Sequence, residues 1–158
     1  EMGGGGTVCG QVATVAHGRS GVEDGATATV RYRNGALGVI EGTTAAWPGS
    51  KIRIEISGTA GNVVMEDETI VQWEFAEACD EDAEIIEKYG PREGLSGGGA
   101  ADAKAIDTEG HRRQFEDFCT AIQTGAEPYC VGLDGRAAVS VITSIYRSAR
   151  EGRVVEVD

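Results

Sequence analysis

Lysine is nearly missing from this sequence. Lys51, Lys88 and Lys104 are three of only 14 basic residues, which face 26 acids for a net charge of −12. Nucleic acid is a poor partner for such a chain, because phosphate binding needs clustered Lys and Arg. The imbalance is compatible with a salt-adapted source and with an ordinary acidic cytosolic protein. Long apolar runs are missing too: nothing approaches the ~18–20 consecutive apolar residues of a membrane span, and no basic segment followed by an apolar one opens the sequence. Histidine occurs twice, and Cys9, Cys79, Cys119 and Cys130 are widely spaced without a Cys-x-x-Cys, so no metal site is expected. Cys9 in an apolar alternating run and Cys119 on a helical stripe read as small buried hydrophobes, with reduced thiols and a cytoplasmic setting as the plain inference. No Gly-x-Gly-x-x-Gly opens a helix after a strand, so the dinucleotide fingerprint is absent and no cofactor-binding residue is assigned.

What is present suits one domain: 158 residues, 41% hydrophobic. Residues 1–9, with Glu1-Met2 and four glycines, read as a non-native or linker start from which something upstream has been removed. Residues 10–158 read as the domain. Thr7 to Ala16 carries Val8, Val12 and Val15 in β-rich composition. Asp24 to Arg33 alternates, with Ala26, Ala28, Val30 and Tyr32 on one face. Asn34-Gly35 predicts a two-residue type I′ turn with both residues at positive φ, and Ala36 to Thr44 returns as the antiparallel partner. After Pro48-Gly49, Lys51 to Ser57 alternates again, with Ile52, Ile54 and Ile56 on one face. Asn62 to Glu66 and Thr69 to Phe75 complete a meander.

Acids dominate Glu77 to Glu87, a solvated face with a short helix predicted near Glu81 to Lys88. Gly90 to Gly99 reads as a mobile surface loop. Thr108 can cap a helix whose apolar stripe is Phe115, Phe118, Cys119 and Ile122, stopped by Gly125 and Pro128. Asp134 can cap another, burying Ala137, Ala138, Val141, Ile142, Ile145 and Ala149, before a closing strand at Arg153 to Val157. The expected class is α+β: an open, mainly antiparallel sheet of six or seven strands with two or three helices on one face. One helical layer leaves the second face to Thr27, Thr29, Val39, Ala45, Val64, Trp73 and Phe75, which predicts self-association through the sheet.

Several segments in order carry a resemblance. They are Val22-Glu23-Asp24-Gly25-Ala26-Thr27-Ala28, Asn34-Gly35-Ala36-Leu37-Gly38 and Gly58-Thr59-Ala60-Gly61. Next come His111, Gln114, Asp117-Phe118 and Ala121-Ile122, with Gly125 and Pro128 behind them. Gly135-Arg136-Ala137-Ala138-Val139 and Ile145-Tyr146-Arg147-Ser148-Ala149 close the series. From about Gly10 to Val157 the chain resembles the C-terminal domain of the Gfo/Idh/MocA family, the glucose–fructose oxidoreductase and inositol dehydrogenase group.

The resemblance implies a parent oxidoreductase (dehydrogenase) acting on a sugar or cyclitol, with a preceding Rossmann domain that binds NAD or NADP. It implies an open sheet that walls the substrate pocket beside the nicotinamide and packs against another subunit as a homo-oligomer. The family's lysine lies in the cofactor domain and its Asp-x-x-x-His pair just upstream of the first segment. Neither occurs here, so no catalytic residue is assigned and the chain alone should not transfer hydride. The alternative is a non-catalytic binding or assembly module with the same fold.

Three residues are candidates for substrate binding. Trp47, on the connection that the resemblance brings near substrate, could stack on a sugar's C–H face, or cover a sheet edge. Lys51 could bind a substrate carboxylate or phosphate, or be a solvated strand residue. His111, near the third position of a helix, could bond a sugar hydroxyl or accept its proton, or pack at the helix entrance. Trp73 and Phe75 share a strand face and suit either a subunit contact or the core. Glu23-Asp24 matches a family signature and equally suits a turn.

Overall fold

A computed structural model describes residues 6–19, 21–91 and 108–157. In chain order these form β1 (Thr7–Ala13), β2 (Gly25–Arg31), β3 (Leu37–Thr43), β4 (Arg53–Ser57), β5 (Gly61–Glu66), β6 (Thr69–Phe75), α1 (Asp82–Tyr89), α2 (Glu109–Thr124), α3 (Gly132–Glu151) and β7 (Val155–Glu156). The fold is α+β with antiparallel strands, hydrogen-bonded as a four-stranded sheet in the order β3-β2-β1-β7 and a three-stranded sheet in the order β4-β5-β6. The chain makes two compact units: residues 1–45 with 108–158, and residues 46–107. The glycine-rich loop expected at Gly90 to Gly99 lies, beyond residue 91, outside the described residues.

In the first unit the period-2 pattern decides which face is buried. Val8 pairs with Val30 and Gly10 with Ala28. On that face Val8, Ala28 and Val30 join Ile145 of α3 with Val155 and Val157 in the core, and Tyr32 and Val141 pack against it. The alternate residues Cys9, Thr27 and Thr29 are exposed. Cys9 is therefore not the buried hydrophobe expected from composition. Cys119 is exposed as well, because no residue of α2 is buried.

Helix α3 approaches β1 so closely that a Cβ on Gly10 would sit 2.8 Å from Ile145 Cγ2 and 3.0 Å from its carbonyl oxygen. Strand β7 pairs only with Thr7 and Val8. Beyond it the Gly10 N–H donates to Ser148 Oγ at 2.9 Å, and that hydroxyl donates to the Arg153 carbonyl at 2.6 Å. A fully buried serine is tolerated because both its roles are satisfied. The buried stripe of α3 is Val141, Ser144, Ile145 and Ser148, and the expected Ala137, Ala138 and Ile142 are exposed. Its helical spacing is right, but only the C-terminal half of the helix meets the strands.

Three local readings need correction. The β2–β3 turn is a three-residue loop: the Gly35 N–H donates to the Tyr32 carbonyl at 3.0 Å and the Tyr32 N–H to that of Ala36 at 2.9 Å. Gly35 has φ 90°, but Asn34 does not take positive φ. This is a type I turn followed by a glycine bulge. Asn34 Oδ1 accepts the Ala36 N–H at 3.0 Å, an interaction its side chain makes from this position. Thr108 occupies the α2 N-cap without a side-chain bond. Asp134 is the third residue of α3, and its carboxylate reaches back to the Val131 N–H at 2.9 Å.

In the second unit β4 pairs with β5 and β5 with β6, with a bulge at Val64/Met65. Register puts Ile54, Ile56, Val63, Trp73 and Phe75 on one face, while Arg53 and Glu55 alternate to the other. Val64, expected to enrich an exposed face, is buried. Among the described residues no helix is long and apolar enough to cross a membrane.

Candidate functional site

Trp47 and Lys51 lie on the connection from β3 to β4, in the second unit, and His111 lies in the first. Trp47 is 93% exposed and presents its indole to solvent. Lys51 Nζ is 3.5 Å from Glu66 Oε2, while the other oxygen of Glu66 accepts Arg53 Nη1–H at 3.0 Å. Arg53 also holds Glu55 at 3.1 Å. Lys51 thus belongs to a four-membered charge cluster across the β4–β5 face.

His111 is the third residue of α2, with Nδ1 3.4 Å from Gln114 Oε1, one turn on. Around it the first turn is charge-paired. Arg112 and then Arg113 hold the Glu109 carboxyl down to about 2, and Arg112 also reaches Glu116. The apolar stripe beyond, Phe115, Phe118 and Ile122, is exposed.

Glu23-Asp24 organises the β1–β2 connection. Asp24 is only 4% exposed. Its carboxylate accepts the N–H groups of Val15, Ala16 and His17 at 2.8, 2.6 and 2.7 Å. These bonds, chiefly those from Val15 and His17, keep its carboxyl below the usual aspartate value. Its backbone carbonyl accepts from the Thr44 N–H and Thr43 Oγ1, both at 2.9 Å. Glu23 accepts the Tyr146 hydroxyl proton, which lowers the glutamate pKa and raises that of the phenol. The acid pair signals a turn in the sequence; its tie to α3 through Tyr146 has no local signal.

The nicotinamide cofactor of the resembling family finds no cradle in these residues. Its pyrophosphate needs a strand, a glycine turn and a helix N-terminus with free donors. Helix α1 follows β6 through Ala76 to Glu81, a link without glycine, and Asp82 occupies the Cys79 N–H at 2.8 Å. Helix α3 opens at Gly132 with no strand feeding it. Among the described residues no group of three or more His, Cys, Asp or Glu could hold a metal ion.

Residues 6–157 match the model of the oxidoreductase family, C-terminal alpha/beta domain. The chain belongs to the Gfo/Idh/MocA oxidoreductase family as a C-terminal domain. It is similar to the WlbA dehydrogenase from Bordetella pertussis, solved in complex with NADH and UDP-GlcNAcA, at 28% identity and TM-score 0.79, covering 99% of this chain and 43% of that one. It is similar to the WlbA dehydrogenase from Chromobacterium violaceum, solved with the same two molecules, at 27% identity and TM-score 0.78, covering 99% and 41%. Levoglucosan dehydrogenase in complex with NADH and L-sorbose matches at 25% identity and TM-score 0.68, covering 98% and 45%. This chain therefore spans less than half the length of these structures. A search of curated proteins finds no match.

Proposed function

We propose that this chain is the substrate-side and oligomerisation domain of an NAD(P)-dependent dehydrogenase acting on a sugar or cyclitol in the cytoplasm. On this reading the dinucleotide, hydride transfer and the acid–base residues belong to a Rossmann domain outside the chain. The present residues wall the substrate pocket. Trp47 stacks on the C–H face of the sugar, Lys51 faces a substrate carboxylate or phosphate, and His111 bonds a hydroxyl. The supporting observation is similarity over 99% of the chain to less than half of a dehydrogenase bound to NADH and a uridine-diphosphate sugar. The absence of a pyrophosphate cradle supports it physically. Calorimetric titration of the isolated chain with NADH tests the division of labour. No saturable heat is expected up to millimolar ligand; saturable micromolar binding would overturn it.

A further inference from the structure

The second unit also carries an open trough of about 720 Å³ between β6 and α1. That volume falls within the ~300–1,000 Å³ of small-molecule sites. Trp73 and Phe75 line it, with ring centroids 4.9 Å apart and planes at 56°. Both rings are fixed by their surroundings. The Trp73 indole N–H donates to Asp82 Oδ1 at 3.0 Å, and Asp82 Oδ2 accepts the Cys79 N–H at 2.8 Å. Phe75 pairs with Gly61, and its ring fills the place of a side chain there: a Cβ on Gly61 would lie 2.4 Å from Phe75 Cδ1. The aromatic wall is therefore built in advance of any ligand.

The ionisable residues lining the trough are all acids: Glu74, Asp82 and Glu87. The nearby cation, Lys88, holds its Nζ 5.0 Å from the Tyr89 ring centroid and is not part of the lining. Aromatic faces with an acidic rim repel phosphates and uronates and attract a cation with an apolar body. The net charge of −12 acts in the same sense over longer range.

We propose that this trough binds a small organic cation, an ammonium or guanidinium on a flat or aliphatic body. The body rests on Trp73 and Phe75, with Ile86 beneath it, and the charge lies between Glu74 and Glu87. This inference is separate from the dehydrogenase reading and stands or falls without it.

The test uses Trp47→Phe, which leaves Trp73 as the one indole reporter. Its fluorescence is titrated with phenethylammonium, phenethyl alcohol and phenylacetate. Saturable binding is expected for the ammonium, about tenfold weaker binding for the alcohol, the scale of a partly desolvated cation–π contact, and none for the anion. Adding Glu74→Gln and Glu87→Gln, both on exposed positions, should bring the ammonium down to the alcohol's affinity while circular dichroism stays unchanged. Equal affinity for alcohol and ammonium, or no saturation by the ammonium up to its solubility, would overturn the proposal.

Discussion

Ser148 satisfies two backbone groups from distant segments with one hydroxyl, so its loss strands both. Ser148→Ala should lower the unfolding free energy by about 1–3 kcal/mol in urea titration, the cost of buried groups left unpaired. Nothing in the helical pattern of α3 announces this: a serine on an apolar stripe reads as an interruption until its partners, Gly10 and Arg153, are placed. Asp24 makes a different prediction. Its folded pKa lies below the ordinary 3.8, so its contribution is complete above that value and disappears as pH falls through the lower, folded one. Melting temperature should therefore fall on acidification from about pH 6 to about pH 3. Asp24→Asn should melt lower at neutral pH and lose less on acidification. An unchanged acid slope would show that other carboxylates govern it.

Elements were legible where the pattern is local. The alternation from Ala26 to Tyr32, the αL stop at Gly125 with φ 73° and the apolar spacing of α3 all stand in the sequence and appear in the fold. The hairpin shows where local signals fall short. Asn-Gly is compatible with a two-residue loop, yet adding Arg33 to the turn lets Asn34 keep an ordinary backbone and bond Ala36. Only Gly35 then needs a left-handed conformation. Gly35→Val should cost about 1–2 kcal/mol by thermal unfolding, because a β-branched residue disfavours positive φ. Asn34→Gly, which a two-residue positive-φ turn would welcome, should instead destabilise by removing the Ala36 bond. The partition of seven strands into sheets of four and three was not legible, since the pairing of β1 with β7 depends on residues at opposite ends of the chain. The candidate site was legible as residue types only. Trp47 and Lys51 could be named from their neighbours, but the Glu66 that binds Lys51 comes from β5.

At the scale of the molecule, apolar surface remains uncovered in each unit. Phe115, Phe118, Leu37 and Val39 are exposed in the first, and Ile54 and Ile56 in the second. A stable dimer would bury about 1,600 Å² in total. A net charge of −12 opposes association, and salt screens it over a Debye length of about 10 Å at 0.1 M. Light scattering should therefore report a mass rising from monomer toward dimer as ionic strength increases. A monomer at every salt concentration would refute it.

The N–H of Val157 donates to the carbonyl of Gly6, and β7 lies beside β1. The second unit's strands, by contrast, pair with their immediate neighbours in sequence. Closing a long loop carries an entropic cost that short hairpins avoid. During synthesis the inserted unit can pair its strands as soon as they emerge. The surrounding one must hold β1, β2 and β3 without their helix until nearly the last residue has left the ribosome.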